Sequence, residues 1–375
     1  MFGSLLVQKE GYYFDLLRPS EDKFIWKENK RNIEIIFAKP REIYNCDWNL
    51  FAKIDESQLI KKIDNQELSK ENWYIDVFKH SNESTKHYFL KQTNIGDCFL
   101  VSSIISLINM PGILYELFYF NNTKDKNYTD KNEEINLYYY DYRHKNLVNI
   151  KNTYPTFKNQ KDKEQYLQKY SKRFASNFIS PIPFTTSRNG ILLGQALIKA
   201  FICVSYLKEL TPNAYKERAE IIPIENLINS NLKILEDKDK TILIFYYENY
   251  KMSKAYEFLN EGGNPETAMN IFLGCNTEIF FDSDKFRTFG FQDEIIKKIK
   301  KYIQLGGFIQ VSHVSHGAHS YSLLNYLEIK ENGKTDIYFS ILNPNRDHTD
   351  YIYEGIDSIT ENNMTHLPDF RKMKI

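Results

Sequence analysis

No apolar run in this 375-residue sequence approaches the roughly 18 consecutive residues that a membrane-crossing helix needs, so no span is expected. The opening stretch from Met1 to Phe14 has a short apolar patch with no basic region before it, and a secretory signal is not expected there. Cysteine is scarce. Cys46, Cys98, Cys203 and Cys275 lie far apart, without a CxxC pair or metal-knuckle spacing. That argues against a disulfide scaffold and fits thiols kept reduced. A surplus of charge is also lacking: 49 lysines and arginines balance 49 aspartates and glutamates. A net charge of zero gives no electrostatic reason to expect a nucleic acid or a membrane as partner. There is no internal repeat and no EF-hand loop pattern. These absences point to a cytoplasmic protein, with export by a route that needs no signal peptide left open.

What is present supports a folded chain. Hydrophobic residues make up 42% and charged residues 26%, enough for a sizeable core in one large domain or in two lobes sharing a cleft. Residues 1–80 read as an N-terminal lead-in segment with a strand at Ile33 to Phe37, ended by Pro40. Residues 81–275 read as a helix-rich lobe. In it, Cys98 to Ile108 has helical apolar spacing, with Asp97 as N-cap and a second short helix from Ile113 to Phe118. Residues 121–134 form a polar connection expected to be mobile, and Ile135 to Tyr142 with Asn146 to Ile150 read as a hairpin. Residues 158–174 are charged and helical or loose, Gly190 to Leu207 reads as a buried helix, and Thr241 to Tyr247 as a buried strand. Residues 276–375 read as a strand-rich lobe. An amphipathic helix from Asp293 to Leu305 stops at Gly306-Gly307. Strands follow at Phe308 to His313, Tyr321 to Lys330 and Thr335 to Leu342, the last two joined by a turn at Glu331 to Lys334. Helices first and strands last predict an α+β protein.

The chemistry starts at Cys98. A thiol becomes nucleophilic when it loses its proton, which a helix N-terminus and a nearby histidine both favour. A side-chain amide near the cysteine can join the cysteine's own N–H in holding an oxyanion. Gln92 lies six residues before Cys98 and can fold back to do so. In the C-terminal part, His319 is followed 24 residues later by Asn343. If the strands between them form a hairpin, the two residues lie side by side. Asn343 then accepts the Nδ1 proton of His319 and holds the ring toward Cys98.

These residues resemble the protease core of the calpains. Gln92 to Val101, with Gly96-Asp97-Cys98-Phe99-Leu100, is similar to the calpain nucleophile motif Q-G-x-L-G-D-C-W-L-L. His319-Ser320-Tyr321-Ser322 looks like G-H-A-Y-S, and Asn343-Pro344 like N-P-W. Weaker matches keep the same order: Lys39 to Ile43 resembles R-P-x-E-I, Tyr154-Pro155-Thr156 resembles L-P-T, and Lys254-Ala255-Tyr256 and Gly262-Gly263 to Gly274 resemble the K-A-Y and G-G segments. The resemblance runs over roughly residues 38–347 and leaves about 160–250 unaligned. It implies a papain-like, two-lobed cysteine endopeptidase that acts on a protein or peptide through a thioester, with an inhibitor or activator protein as a further partner. In it Cys98 is the nucleophile, His319 the general base and acid, Asn343 the orienting residue and Gln92 the oxyanion donor. No cofactor is required. Calpain cores also bind calcium, but Phe89 stands where an acidic ligand is expected and cannot coordinate a hard cation, while Asp347 matches an acidic ligand after Asn-Pro. Phe99 replaces a tryptophan, and Asn345 replaces the tryptophan that shields the His–Asn pair, so another cover is needed.

Other readings stay open. A lone helical cysteine is often structural, as Cys203 and Cys275 are expected to be, and Asn343 before Pro344 is also a turn signal. Gln92 can be read as an ordinary loop residue. The run His313, His316, His319 has no acid or cysteine at ligand spacing, and zinc is not expected there. The same nucleophile supports deamidation or amine transfer, and an inactive calpain-like binding module is the third alternative.

Overall fold

A computed structural model describes residues 21–28, 30–44, 48–51, 90–119, 128, 132–141, 144–172, 179–187, 190–205, 234–237, 240–243, 252–274, 291–305, 307–313, 319–331 and 334–345. These residues form a mixed α/β structure in which every ladder between strands is antiparallel. The chain begins with β1 (Phe24–Glu28), β2 (Arg31–Ala38) and the one-turn helix α1 (Pro40–Ile43). Next come β3 (Lys91–Gln92), α2 (Cys98–Ile108), α3 (Pro111–Glu116) and β4 (Phe118–Tyr119). β5 (Glu134–Asp141), β6 (His144–Lys151), β7 (Tyr154–Phe157), α4 (Gln160–Ser171) and β8 (Thr185–Thr186) follow. A helix over 193–205 is α5. The remainder is β9 (Ile234–Asp237), β10 (Lys240–Leu243), α6 (Met252–Asn260), α7 (Pro265–Leu273), α8 (Phe291–Gln304), β11 (Ile309–His313), β12 (His319–Glu331) and β13 (Lys334–Leu342).

The centre of the structure is α2. All of its residues are buried, which is the arrangement a helix apolar on every side requires. Its serines do not break that rule. Ser102 and Ser103 donate to the Phe99 carbonyl at 3.1 and 2.8 Å, and Ser106 donates to the Ser102 carbonyl at 3.3 Å. The helix packs against β12, β11 and α7. Asp97 occupies the N-cap position as expected, but its side chain caps nothing. Its backbone carbonyl receives the Leu100 and Val101 amides at 3.0 and 2.9 Å instead.

Residues 24–38 are more than the lead-in that composition suggests. β1 pairs with β2, and β2 pairs with β7, so that Ile35 faces Phe157. Trp26, Ile33 and Ile35 are buried in the same core as α2. A buried ion pair fixes the entry to β1. Lys199, 1% exposed on α5, reaches Glu21 at 2.5 Å and also donates to the carbonyls of Lys151 and Thr153 at 2.8 and 2.6 Å. Burial pulls the Lys199 pKa down, and the Glu21 carboxylate opposes that fall. Lys199→Met is expected to cost about 3–5 kcal/mol in denaturant unfolding, because Glu21 is left as an uncompensated buried charge. A loss below about 1 kcal/mol would contradict this account of the pair.

The expected hairpins form. β5 and β6 pair from Glu134↔Lys151 to Asp141↔His144. β11, β12 and β13 make a three-stranded sheet in which Glu331 faces Lys334, with a register shift between Leu323 and Asn325. The charged 158–174 segment contains α4, and the expected strand at Thr241 to Tyr247 appears as β10 paired with β9. Cys203 is buried as expected. Cys46, Cys275, the rest of the Thr241 to Tyr247 strand and most of residues 121–134 lie outside the described residues. Among the described residues no helix is long and apolar enough to cross a membrane.

Candidate active site

Gln92 and Cys98 stand at the two ends of a short loop between β3 and α2. Gln92 Nε2 donates to the Ile95 carbonyl at 2.6 Å inside that loop. A carbonyl partner demands an N–H, which settles the orientation of the amide. One of the two Nε2 hydrogens is used in this way. The Gln92 backbone amide donates to the Pro344 carbonyl at 2.7 Å, tying β3 to the chain just beyond Asn343.

β12 opens on His319, and Asn343 follows directly after β13. Because β12 and β13 are neighbours in one sheet, these ends meet. His319 Nε2 lies 2.8 Å from Asn343 Oδ1. The contact expected from the sequence is present, but through Nε2 rather than Nδ1. The proton on Nε2 follows from a second bond. The Asn345 backbone N–H donates to the same Asn343 Oδ1 at 2.9 Å, which identifies that atom as the oxygen. An oxygen requires a donor from the imidazole, so Nε2 carries a proton. The Tyr321 ring stands edge-on to His319 with centroids 4.8 Å apart. Asn345, where the resemblance expects a shielding tryptophan, is exposed, so apolar cover for the ring comes from Tyr321.

The two halves of the site are brought together by the packing of β12 against α2. The Ser320 backbone amide, one residue after His319, acts on the Cys98 thiol by lowering its pKa. Farther along α2, Ser322 Oγ donates to the Ser102 carbonyl, and Gln310 Nε2 contacts Ser102 O at 3.3 Å and Ser106 Oγ at 2.6 Å. Burial pushes the Cys98 pKa up. The Ser320 amide pulls it back, the Asp97 carboxyl adds to the rise, and the Phe99 and Cys98 amides lower it. Alkylation of Cys98 by iodoacetamide is therefore expected to be slow at neutral pH and still climbing at about pH 9. A rate that is already level between about pH 5 and 7 would show a resting thiolate and contradict this.

Further neighbours surround the Cys98 loop, among them Asn260 and Thr185, which the sequence did not single out. Asn260, at the end of α6, accepts the Gly96 amide on its Oδ1 at 3.1 Å. A Cβ at Gly96 would sit 2.6 Å from the Asn260 backbone carbonyl. Gly96→Ala is thus expected to destabilise by about 1–3 kcal/mol and to displace the Cys98 loop, read as a fall in melting temperature. An unchanged melting temperature would contradict the close approach. Gly263 passes equally close to Phe99, where a Cβ would meet the ring at 2.5 Å. Thr185 pairs with Gln92 across β3 and β8, and its hydroxyl donates to Asp97 Oδ2. Burial pushes the Asp97 pKa up to about 7. A strand of two residues carries no periodicity, so nothing in the sequence pattern points to Thr185.

His313 is described in its backbone only, and Phe89, His316 and Asp347 lie outside the described residues. The calcium and zinc expectations therefore fall where the structure says nothing of the side chains. The chain matches no protein-family model and no curated protein.

Proposed function

We propose that this protein is a cysteine endopeptidase with a papain-like, two-lobed arrangement that resembles the calpain core. The carrying observation is the His319–Asn343 bond of 2.8 Å at the start of the strand that packs against the Cys98 helix. In the proposed reaction His319 Nδ1 takes the thiol proton as Cys98 Sγ attacks a peptide carbonyl carbon. The negative charge that develops on the carbonyl oxygen is held by a side-chain N–H of Gln92 and the Cys98 amide. Collapse breaks the C–N bond, and His319 returns the proton to the leaving amine. Water, deprotonated by His319, then attacks the thioester and releases the acid and the Cys98 thiol. Asn343 accepts from Nε2 throughout and stabilises the imidazolium. This chemistry needs no cofactor.

One observation favours a second reading, an inactive binding module: Cys98 is buried, and burial pushes its pKa up. Incubation with an unfolded protein substrate separates the readings. New peptide termini seen by mass spectrometry, absent with Cys98→Ala, support the peptidase. A mass change on the substrate without backbone cleavage would replace it with a deamidase or amine transferase. No change of either kind, from folded protein with calcium added and with calcium chelated, would favour the inactive module.

A further inference from the structure

We propose that Asp97 is a positioning residue that acts through Thr185 to fix the strand carrying Gln92 against the helix carrying Cys98. The inference rests on the cysteine-peptidase reading and adds to it a residue that touches no reacting atom.

Asp97 is wholly buried and sits at the N-cap of α2, where an aspartate ordinarily accepts from the first helical amides. Here the backbone carbonyl of Asp97 receives Leu100 and Val101, and the side chain turns to Thr185 instead. A buried carboxyl with few partners is costly, and among the described residues Asp97 Oδ1 finds no donor. Helix capping does not account for that cost, but the tie to Thr185 does. Thr185 is the strand partner of Gln92, and its carbonyl accepts from Gln195 Nε2 of α5 at 2.5 Å. The preceding residue, Phe184, has φ 78°, a left-handed conformation that a bulky side chain rarely adopts. Its carbonyl accepts the Asn94 amide at 3.1 Å, within the same loop as Gln92 and Cys98. Its ring is wedged among Trp26 at 4.6 Å, Tyr256 at 5.1 Å and Phe24 at 6.4 Å.

Residues 184–185 thus form a floor that the core holds rigidly, and the loop from Gln92 to Cys98 is fastened to it at three places: Gln92, Asn94 and Asp97. The ladder of β3 and β8 has only two residue pairs and is weak by itself. Asp97 is the one side chain among the three fastenings, and it is the fastening next to the nucleophile. Oxyanion donors act only when they are held close to the productive geometry, so a loosened Gln92 costs more than its contact energy suggests.

Two thiol reagents test this. A peptide aldehyde adds to Cys98 as a hemithioacetal: the S–C bond forms, the C=O bond becomes C–OH, and the thiol proton ends on that oxygen, in the oxyanion position. Iodoacetamide forms an S–C bond and releases iodide, with no oxyanion. Thr185→Val is expected to weaken aldehyde binding about 10- to 100-fold while leaving the alkylation rate within about twofold. Thr185→Ser is expected to restore the affinity. Asp97→Asn, which keeps an acceptor for the hydroxyl, is expected to stay close to wild type. Asp97→Ala is expected to match Thr185→Val in aldehyde affinity, with no further loss in the double variant, and to alkylate no more slowly than wild type, since the carboxyl that raises the Cys98 pKa is gone; it reads the same contact should Thr185→Val not fold. Unchanged aldehyde affinity in both variants, or parallel losses in aldehyde affinity and alkylation, would overturn the assignment. Failure of the folded wild type to form any aldehyde adduct would instead overturn the peptidase reading, and the positioning role with it.

Discussion

His319→Ala is expected to lower peptide cleavage by roughly 10³-fold or more while leaving the protein folded. His319 is half-buried at the mouth of the β-sheet, so its loss opens little of the core. The chemical loss is larger because Cys98 does not rest as a thiolate: burial pushes its pKa up, and the proton must leave during attack. Without His319 the proposed reaction loses the base that takes it. Cys98→Ala is expected to remove cleavage entirely, and the His319→Ala/Cys98→Ala double variant to be no worse than Cys98→Ala, since the two residues act in one step. Steady-state kinetics on a peptide amide checks this. A His319→Ala variant within tenfold of wild type would mean that another base serves Cys98.

The second large effect belongs to Gln92. Gln92→Ala is expected to reduce kcat by about 10²–10³-fold, the usual result of removing one oxyanion donor. Gln92→Glu is expected to do at least as much damage. A carboxylate cannot donate to the Ile95 carbonyl, so the 2.6 Å bond that holds the side chain becomes a repulsion between oxygens. Iodoacetamide should still alkylate Cys98 in both variants at close to the wild-type rate, which separates a lost donor from a collapsed loop. Equal kcat in wild type and Gln92→Ala would remove Gln92 from the reaction.

The parts of the fold that repeat a pattern were legible in the sequence. The β5–β6 and β12–β13 hairpins and the amphipathic α8 follow a period of 2 or 3.6, and α2 is an unbroken apolar run of helical length. The order Gln92, Cys98, His319, Asn343 was legible for a different reason: those residue types carry chemistry and are rare in such a sequence of spacings. What escaped was set by tertiary contact. The imidazole contact to Asn343 runs through Nε2 and not the expected Nδ1, and no spacing shows which ring nitrogen faces a partner. Thr185 and Phe184 gain their importance from the 92–98 loop nearly 90 positions earlier in the chain. Residues 24–38 read as a lead-in because their partner strand, β7, lies more than a hundred residues away. The N-cap expectation at Asp97 placed the helix start correctly. It failed on the side chain, since a buried threonine competed for the carboxyl.

The most direct test of the central claim is covalent labelling of folded protein with an electrophilic peptide probe, the adduct being located by mass spectrometry. The proposed pair predicts an adduct on Cys98, abolished by Cys98→Ala and reduced at least about 10²-fold by His319→Ala. Labelling that is indifferent to His319, or no Cys98 adduct from folded protein with calcium added or chelated, would contradict the claim that Cys98 and His319 form a working nucleophile–base pair.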